Sequence, residues 1–243
     1  MIGNSRLHWA RFSGKDLSAI WHSDYLSQDD IQNLSAPLQM APIILASVVA
    51  EQTQRWQYYP HLQIITLDQI PLKNLYPTLG IDRALAGLGA GAILGWPVLV
   101  IDAGTALTFT GFNGDRTLAG GAILPGLSLQ FSSLHDNTGD LPAVTLPDQL
   151  PSRWALTTSA AIQSGILYTT LAGIGDFITV WLEQFPGSQI ALTGGDAQAL
   201  CRYLNSYSPH LLPQIQETPA ALFWGMAEIV WNAESFRINF RNP

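Results

Sequence analysis

The thirty residues from Pro97 to Gly126 restrict the fold of this chain more than any other stretch. They open on an apolar run, Pro97-Val98-Leu99-Val100-Ile101, that ends in a carboxylate, Asp102. The segment Asp102-Ala103-Gly104-Thr105-Ala106 is too tight and small for anything but a turn in which backbone meets ligand. An alternating segment follows from Leu107 to Phe112, and then Asn113-Gly114, a two-residue hairpin signal. A third apolar segment, Leu118 to Leu124, carries Gly120-Gly121 and closes at Pro125-Gly126. The predicted order is strand, acidic turn, strand, hairpin, strand. Such a layout sets a carboxylate, a hydroxyl and backbone amides together, as a phosphate site requires.

The N-terminus carries a fainter copy. Met1-Ile2-Gly3-Asn4-Ser5 is a glycine-polar turn, Leu7 to Phe12 reads as a strand, Ser13-Gly14 turns the chain, and Leu17 to Trp21 reads as the return. Gly3-Asn4-Ser5 falls on Gly104-Thr105-Ala106 at an offset of 101 residues. Two strand-turn-strand units at that spacing predict a duplicated domain with a cleft between halves, drawn at 1–96 and 97–243. The remaining elements alternate in type. Asp29 to Leu34 is a short helix, Ile43 to Val49 and Leu62 to Leu67 are strands, and Thr158 to about Phe185 is a long helix. Ile190-Ala191-Leu192 is a strand running into Thr193-Gly194-Gly195-Asp196 and a helix, and a last helix spans Ala220 to about Glu234. The class is α/β.

Composition removes several functions. A formal charge of −7, with no Lys/Arg cluster, argues against nucleic acid as the main partner. A single cysteine, Cys201, rules out an internal disulfide and fits a reducing compartment. Ala84 to Ile101 holds eighteen residues without a charge, long enough for a membrane span. Four glycines and Pro97 interrupt it, so a small-residue helix followed by a buried strand is the expectation. Met1 to Phe12 has no apolar core and is not read as a signal peptide, which predicts a cytoplasmic protein without a membrane partner. Charged residues make up only 12% of the chain, which points to surface covered by a second copy.

Two constellations carry chemistry. The three glycine-polar turns (Gly3-Asn4-Ser5, Gly104-Thr105 and Gly194-Gly195) each edge an apolar strand, and together they favour a nucleotide over simple chain reversal. Neither GxxxxGK[ST] nor a strand-to-helix GxGxxG occurs, which excludes the P-loop and Rossmann sites. The second constellation is Gly80-Ile81-Asp82-Arg83. One reading is a helix-start carboxylate favoured by the dipole, beside a solvated cation. The other gives Asp82 a substrate hydroxyl proton and Arg83 a substrate anion. The five histidines lack metal-ligand spacing, and no GxSxG nucleophile motif is present.

With these residues in hand, the chain resembles the type III pantothenate kinases of the acetate kinase, sugar kinase and actin superfamily. The resemblance runs the whole length through MIGNSRLHWA, LASVVAE, YPTLGIDRALAG, VIDAGTALTF, AGGAILPG, TTSAAIQSGI and LTGGDA. It implies two ribonuclease-H-like (actin-like ATPase) halves around an ATP cleft, in a homodimer. It implies ATP-dependent phosphorylation of pantothenate to 4′-phosphopantothenate, with Asp82 as proton acceptor. Tyr76, Gly80, Ile81, Arg83 and Thr158 would contact pantothenate. Gly3, Asn4, Ser5, Thr105, Gly194 and Gly195 would contact ATP. Asp102 would hold a monovalent cation, potassium or ammonium, and magnesium would arrive with ATP. The family's first strand ends in Asp-x-Gly-Asn-[Thr/Ser], whereas Met1 stands at the Asp position here. Either a late start or a lineage-specific loss accounts for this, with magnesium–ATP handling weakened rather than substrate recognition. The rival readings are a non-catalytic regulatory relative of the same fold and a kinase for another small hydroxylated substrate.

Overall fold

The structure is a computed structural model in which residues 1–34 and 41–232 are described. The chain forms two compact units. One runs from Met1 to Ala92 and includes the helix after Ala220, and the other runs from Ile93 to Pro219. The first boundary falls close to the division drawn at 96/97, but the closing helix groups with the N-terminal unit instead of the C-terminal half.

In the first unit β1 (Leu7–Ser13) and β2 (Asp16–Ser23) form an antiparallel hairpin. Helix α1 (Gln28–Gln32) follows, begun by a capping box in which the Ser27 hydroxyl accepts from Asp30 N and the Asp30 carboxylate accepts from Ser27 N. Next come β3 (Ile43–Leu45), α2 (Ala50–Trp56), β4 (Leu62–Ile64) parallel to β3, and α3 (Ile81–Leu94). The strand expected from Ile43 to Val49 stops early. The Ser47 hydroxyl accepts from Val49 N at 3.0 Å and turns the chain into α2. Ile2 joins the two ladders, bridging Leu7 antiparallel and Ser47 parallel. A core of Ile2, Leu7, Ile31, Leu45, Trp56 and Tyr59 fills this side. Elsewhere in the unit α3 lies against α7 (Ala221–Asn232) with glycines at the crossing. A Cβ on Gly89 would overlap the Ala221 carbonyl, and one on Gly225 would overlap that of Leu85. The predicted end of the last helix, Glu234, lies outside the described residues.

The second unit is built on five strands in the order β7-β6-β5-β8-β9. These are β5 (Val98–Ala103), β6 (Ala106–Phe112), β7 (Leu118–Pro125), β8 (Gln189–Thr193) and β9 (Ile215–Glu217). The central β5 pairs antiparallel with β6 and parallel with β8. It is buried on both faces except at Asp102, which is why it reads as a continuous apolar run. Helices α4 (Leu127–Asp136), α5 (Thr158–Gln184) and α6 (Ala197–Tyr207) complete the unit. Thr157 caps α5 by accepting from Ala160 N. The buried side of α5 packs Leu167, Leu171, Ile174 and Ile178 into a core shared with Ile101, Phe109, Ile190 and Tyr203. Helix α5 is long and apolar enough to cross a membrane by length and composition only, a test that a packed core helix also meets, while the segment flagged in the sequence, 84–101, divides into α3 and β5 as expected.

The Asn113-Gly114 turn differs from the two-residue hairpin expected. The loop runs from Asn113 to Thr117, closed by a backbone bond from Asn113 N to Thr117 O at 3.0 Å. The Asn113 side chain accepts from the amides of both Asp115 and Thr117, and Arg116 takes the left-handed position at φ 60°. Asparagine therefore organises the turn through its carboxamide, and the glycine beside it is not in a left-handed conformation.

The strand order repeats between units. Each central position, β5 in one and Ile2 in the other, pairs antiparallel with the strand that follows it and parallel with the strand that precedes a helix. Both units are α/β, with a like strand order in each.

Candidate active site

The first cluster lies at the start of α3. Leu79 N bonds to Tyr76 O, and the amides of Arg83 and Ala84 both reach Gly80 O, so the turn winds directly into the helix. Asp82 falls in the first turn, where an anion is favoured by the helix dipole. Its Oδ1 accepts from Arg83 N at 2.8 Å. A Cβ on Gly80 would collide with that same Oδ1, so a larger residue there would have to turn the carboxylate aside. Burial pushes the Asp82 carboxyl above the usual carboxylate range, against the opposing pull of the Arg83 amide and charge. Arg83 is itself buried, only 7% exposed, and its Nη1 donates to the Tyr76 hydroxyl at 3.1 Å. The solvated-cation reading of Arg83 therefore fails. Buried charges are held for a partner or a ligand, since desolvating a guanidinium is costly. Tyr76, Gly80, Ile81, Asp82 and Arg83 thus stand together.

The second cluster forms where three loops meet the end of β5. Gly104 N bonds to Ala106 O across the acidic turn. Gly126 N reaches Thr105 O at 2.9 Å, and a Cβ on Gly126 would strike the Gly104 carbonyl. On the other side Asp196 N reaches Ala103 O at 2.9 Å. Gly194 has φ +96° and lies so close to the Ala103 backbone that a side chain would not fit. Backbone thus meets backbone from three directions around the end of β5. Asp102 is paired across the sheet with Thr108 on β6 and Thr193 on β8, and paired residues share a face. Both threonines are buried.

Gly3, Asn4 and Ser5 form the loop between Ile2 and β1 in the first unit, with Asn4 and Ser5 exposed. Thr158 is the exposed first residue of α5, and among the described residues its side chain has no hydrogen-bond partner. Sequence reasoning passed over three residues that the fold places at the second cluster. Thr108 and Thr193 gave no local signal, because only strand pairing sets them beside Asp102. Asp196 could have been found, since it ends the Thr193-Gly194-Gly195-Asp196 run, and burial raises its carboxyl above the ordinary range.

No three His, Cys, Asp or Glu gather into a metal-binding group among the described residues. The donors at Asp102 are one carboxylate flanked by two hydroxyl-bearing residues, an oxygen set that suits a hard cation. Magnesium usually takes one or two carboxylates and completes its shell with water and substrate phosphates, so the residues present fit a magnesium delivered on a nucleotide.

The family model for type III pantothenate kinase matches residues 2–179. A curated type III pantothenate kinase of Nostoc sp. is 49% identical, with 94% of this chain and 92% of that protein covered. One from Synechocystis sp. is 47% identical over 94% of this chain and 88% of its own length. Among solved structures, a Baf-family protein of Campylobacter jejuni described as a transcriptional activator aligns with a TM-score of 0.67. It covers 95% of each chain at 20% identity. The activator of the 2-hydroxyisocaproyl-CoA dehydratase of Clostridium difficile, solved with bound ADPNP, aligns with a TM-score of 0.51 at 9% identity. It covers all of this chain and 97% of its own, and at such identities these two structures bear on fold alone. The family match covers well over half of the sequence. This chain belongs to the type III pantothenate kinase family.

Proposed function

We propose that the chain transfers the γ-phosphoryl group of ATP to the primary hydroxyl of pantothenate, giving 4′-phosphopantothenate and ADP, with Asp82 as the base. The observation that carries the assignment is the Asp82 carboxylate, half-buried and raised in proton affinity, beside a buried arginine. In a loose phosphoryl-transfer transition state the protein mainly positions and neutralises. Asp82 takes the hydroxyl proton as the alkoxide oxygen bonds to the γ-phosphorus and the bond to ADP breaks. Arg83, held by Tyr76, anchors the pantothenate carboxylate, and Thr158 contributes a further substrate contact.

The nucleotide side of this reading rests on Gly3, Asn4 and Ser5 in one unit and on Thr105, Gly194 and Gly195 in the other. Asp102 holds a monovalent cation, potassium or ammonium, supported by its oxygen-rich neighbours. Magnesium on ATP supplies charge neutralisation when bound. The same reading takes the protein as a cytoplasmic homodimer. Support for the dimer comes from α5, whose exposed residues Ala161, Gly165, Thr169, Ala172, Asp176 and Val180 recur every three or four positions as a stripe of mostly small side chains. The approach to that helix exposes Trp154 and Leu156.

The test is ADP release by purified protein with potassium and magnesium, with and without pantothenate. Asp82→Asn is expected to abolish turnover and leave ATP binding intact. Substantial residual activity removes Asp82 as the base. A wild-type chain without pantothenate-dependent ADP favours the non-catalytic reading, or another hydroxylated substrate.

A further inference from the structure

The loop Gly3-Asn4-Ser5-Arg6 closes a short hairpin. Ile2 bridges Leu7, Gly3 N bonds to Arg6 O at 3.0 Å, and His8 N bonds to Met1 O at 2.9 Å. Two side chains then grip its first residue. The Tyr25 hydroxyl donates to Gly3 O at 2.6 Å. The His8 ring lies so close to the Gly3 Cα that an added Cβ would come within 2.9 Å of Nε2. His8 is in turn backed by its cross-strand partner His22, with ring centroids 4.8 Å apart.

A peptide unit is planar and trans, so its C=O and the next N–H point in opposite directions. Pulling the Gly3 carbonyl toward Tyr25 therefore aims the Asn4 amide away from it. Asn4 is exposed, and among the described residues it has no hydrogen-bond partner. The matching loop of the second unit is held one residue further along, and by other means. There Gly126, the residue after β7, binds the loop carbonyl of Thr105 through its backbone amide. Tyr25 follows β2 by two residues, so a side-chain hydroxyl in one unit takes the place of a backbone amide in the other.

From this we infer that Tyr25 is a positioning residue for ATP: its hydrogen bond to the Gly3 carbonyl orients the Asn4 amide toward a nucleotide phosphate. The inference rests on the reading of Gly3-Asn4-Ser5 as a phosphate loop. The bond is a single neutral one, and its loss weakens magnesium–ATP binding about five-fold. The pantothenate KM does not depend on it. Tyr25→Phe keeps the ring in its partly buried seat against the core, so the fold is retained.

The experiment measures the Kd of ATP with magnesium by calorimetry for the wild type, Tyr25→Phe and Asn4→Ala, alongside turnover and melting temperature. Tyr25→Phe is expected to bind ATP about five-fold more weakly, with kcat at saturating ATP and the pantothenate KM little changed. Asn4→Ala is expected to bind ATP more weakly as well. A Tyr25→Phe protein with wild-type ATP affinity overturns the inference, and so does one whose only change is a lower melting temperature. If Asn4→Ala alone weakens ATP, the loop reading stands and the role of Tyr25 falls. If neither variant changes affinity, or the wild type binds no ATP, the loop reading fails and takes the inference with it.

Discussion

Asp82 shows how function can oppose stability at a single residue. Its carboxyl holds a proton more tightly in the folded chain than in the unfolded one, because burial penalises the charge. A carboxyl raised by folding contributes stability below its unfolded value and loses it as pH rises through the folded value. The charged form that the proposed base must adopt is thus the form the fold tolerates least. Asp82→Asn is expected to melt above the wild type at pH 7 to 8, with the difference shrinking as pH is lowered toward 4; equal melting curves throughout would contradict a buried charge at this position. His8 has the opposite sign. Burial, with His22, the Met1 amine and Arg6 adding to it, pushes its pKa down to about 4. Its contribution is present near neutrality and lost as pH falls through that value. At this scale the sequence was legible where residues are contiguous: Gly80-Ile81-Asp82-Arg83 could be singled out from the sequence, and its residues stand together in the structure. Tyr76 could be joined to Arg83 only by the fold, and so could the contact that a side chain at position 80 would make with the carboxylate.

At the scale of elements, legibility depended on whether a segment carries its own pattern. The long helix, the three strands of the central stretch and the small-residue helix announced themselves through apolar period and glycine punctuation. Strand β9 has three residues and Leu127–Asp136 only ten, too short to carry a pattern of their own, so neither was visible without its packing partners. The meaning of the small-residue helix also lay beyond local sequence. Gly89 and Gly225 let α3 and α7 meet backbone to backbone, and α3 carries Asp82 at its first turn. An alanine at either position must push two helices apart. Gly89→Ala is therefore expected to cost about 2 kcal/mol or more, as overpacking of a tight core does, and to lower turnover by shifting the start of α3. Gly173→Ala on α5 is the control, since a Cβ there meets nothing within 4 Å. Denaturant titration of the two variants makes the comparison. A Gly89→Ala protein as stable as the wild type would remove the crossing as a constraint.

The whole chain is a repeated strand order with the copies unequal in length. The repeat was legible through two glycine-polar turns at a fixed offset, yet the central strand of one copy is six residues and its counterpart in the other is one residue, Ile2, with a bridge on each side. The unequal copies explain why sequence identity between them is so thin while the topology is the same. The closing helix is the part that sequence order misplaced. It follows the second unit along the chain but packs on α3 of the first, a pairing set by two glycines 136 residues apart, far beyond any periodic window. The exposed face of α5 raises the remaining question at this scale. That face is left with few charges on a helix of 27 residues, in a chain where charges make up only 12% of all residues. Two such helices can approach closely through Gly165, Ala172 and their neighbours, burying small side chains without an entropy cost for long ones. Sedimentation of the wild type is expected to report twice the 26.4 kDa chain mass. Ala172→Glu places like charges opposite one another across such a seam and is expected to yield monomers that remain folded by circular dichroism. A folded Ala172→Glu protein that still sediments as a dimer would move the contact to another face, because two buried like charges cannot be accommodated at a close helix crossing without several kcal/mol of loss.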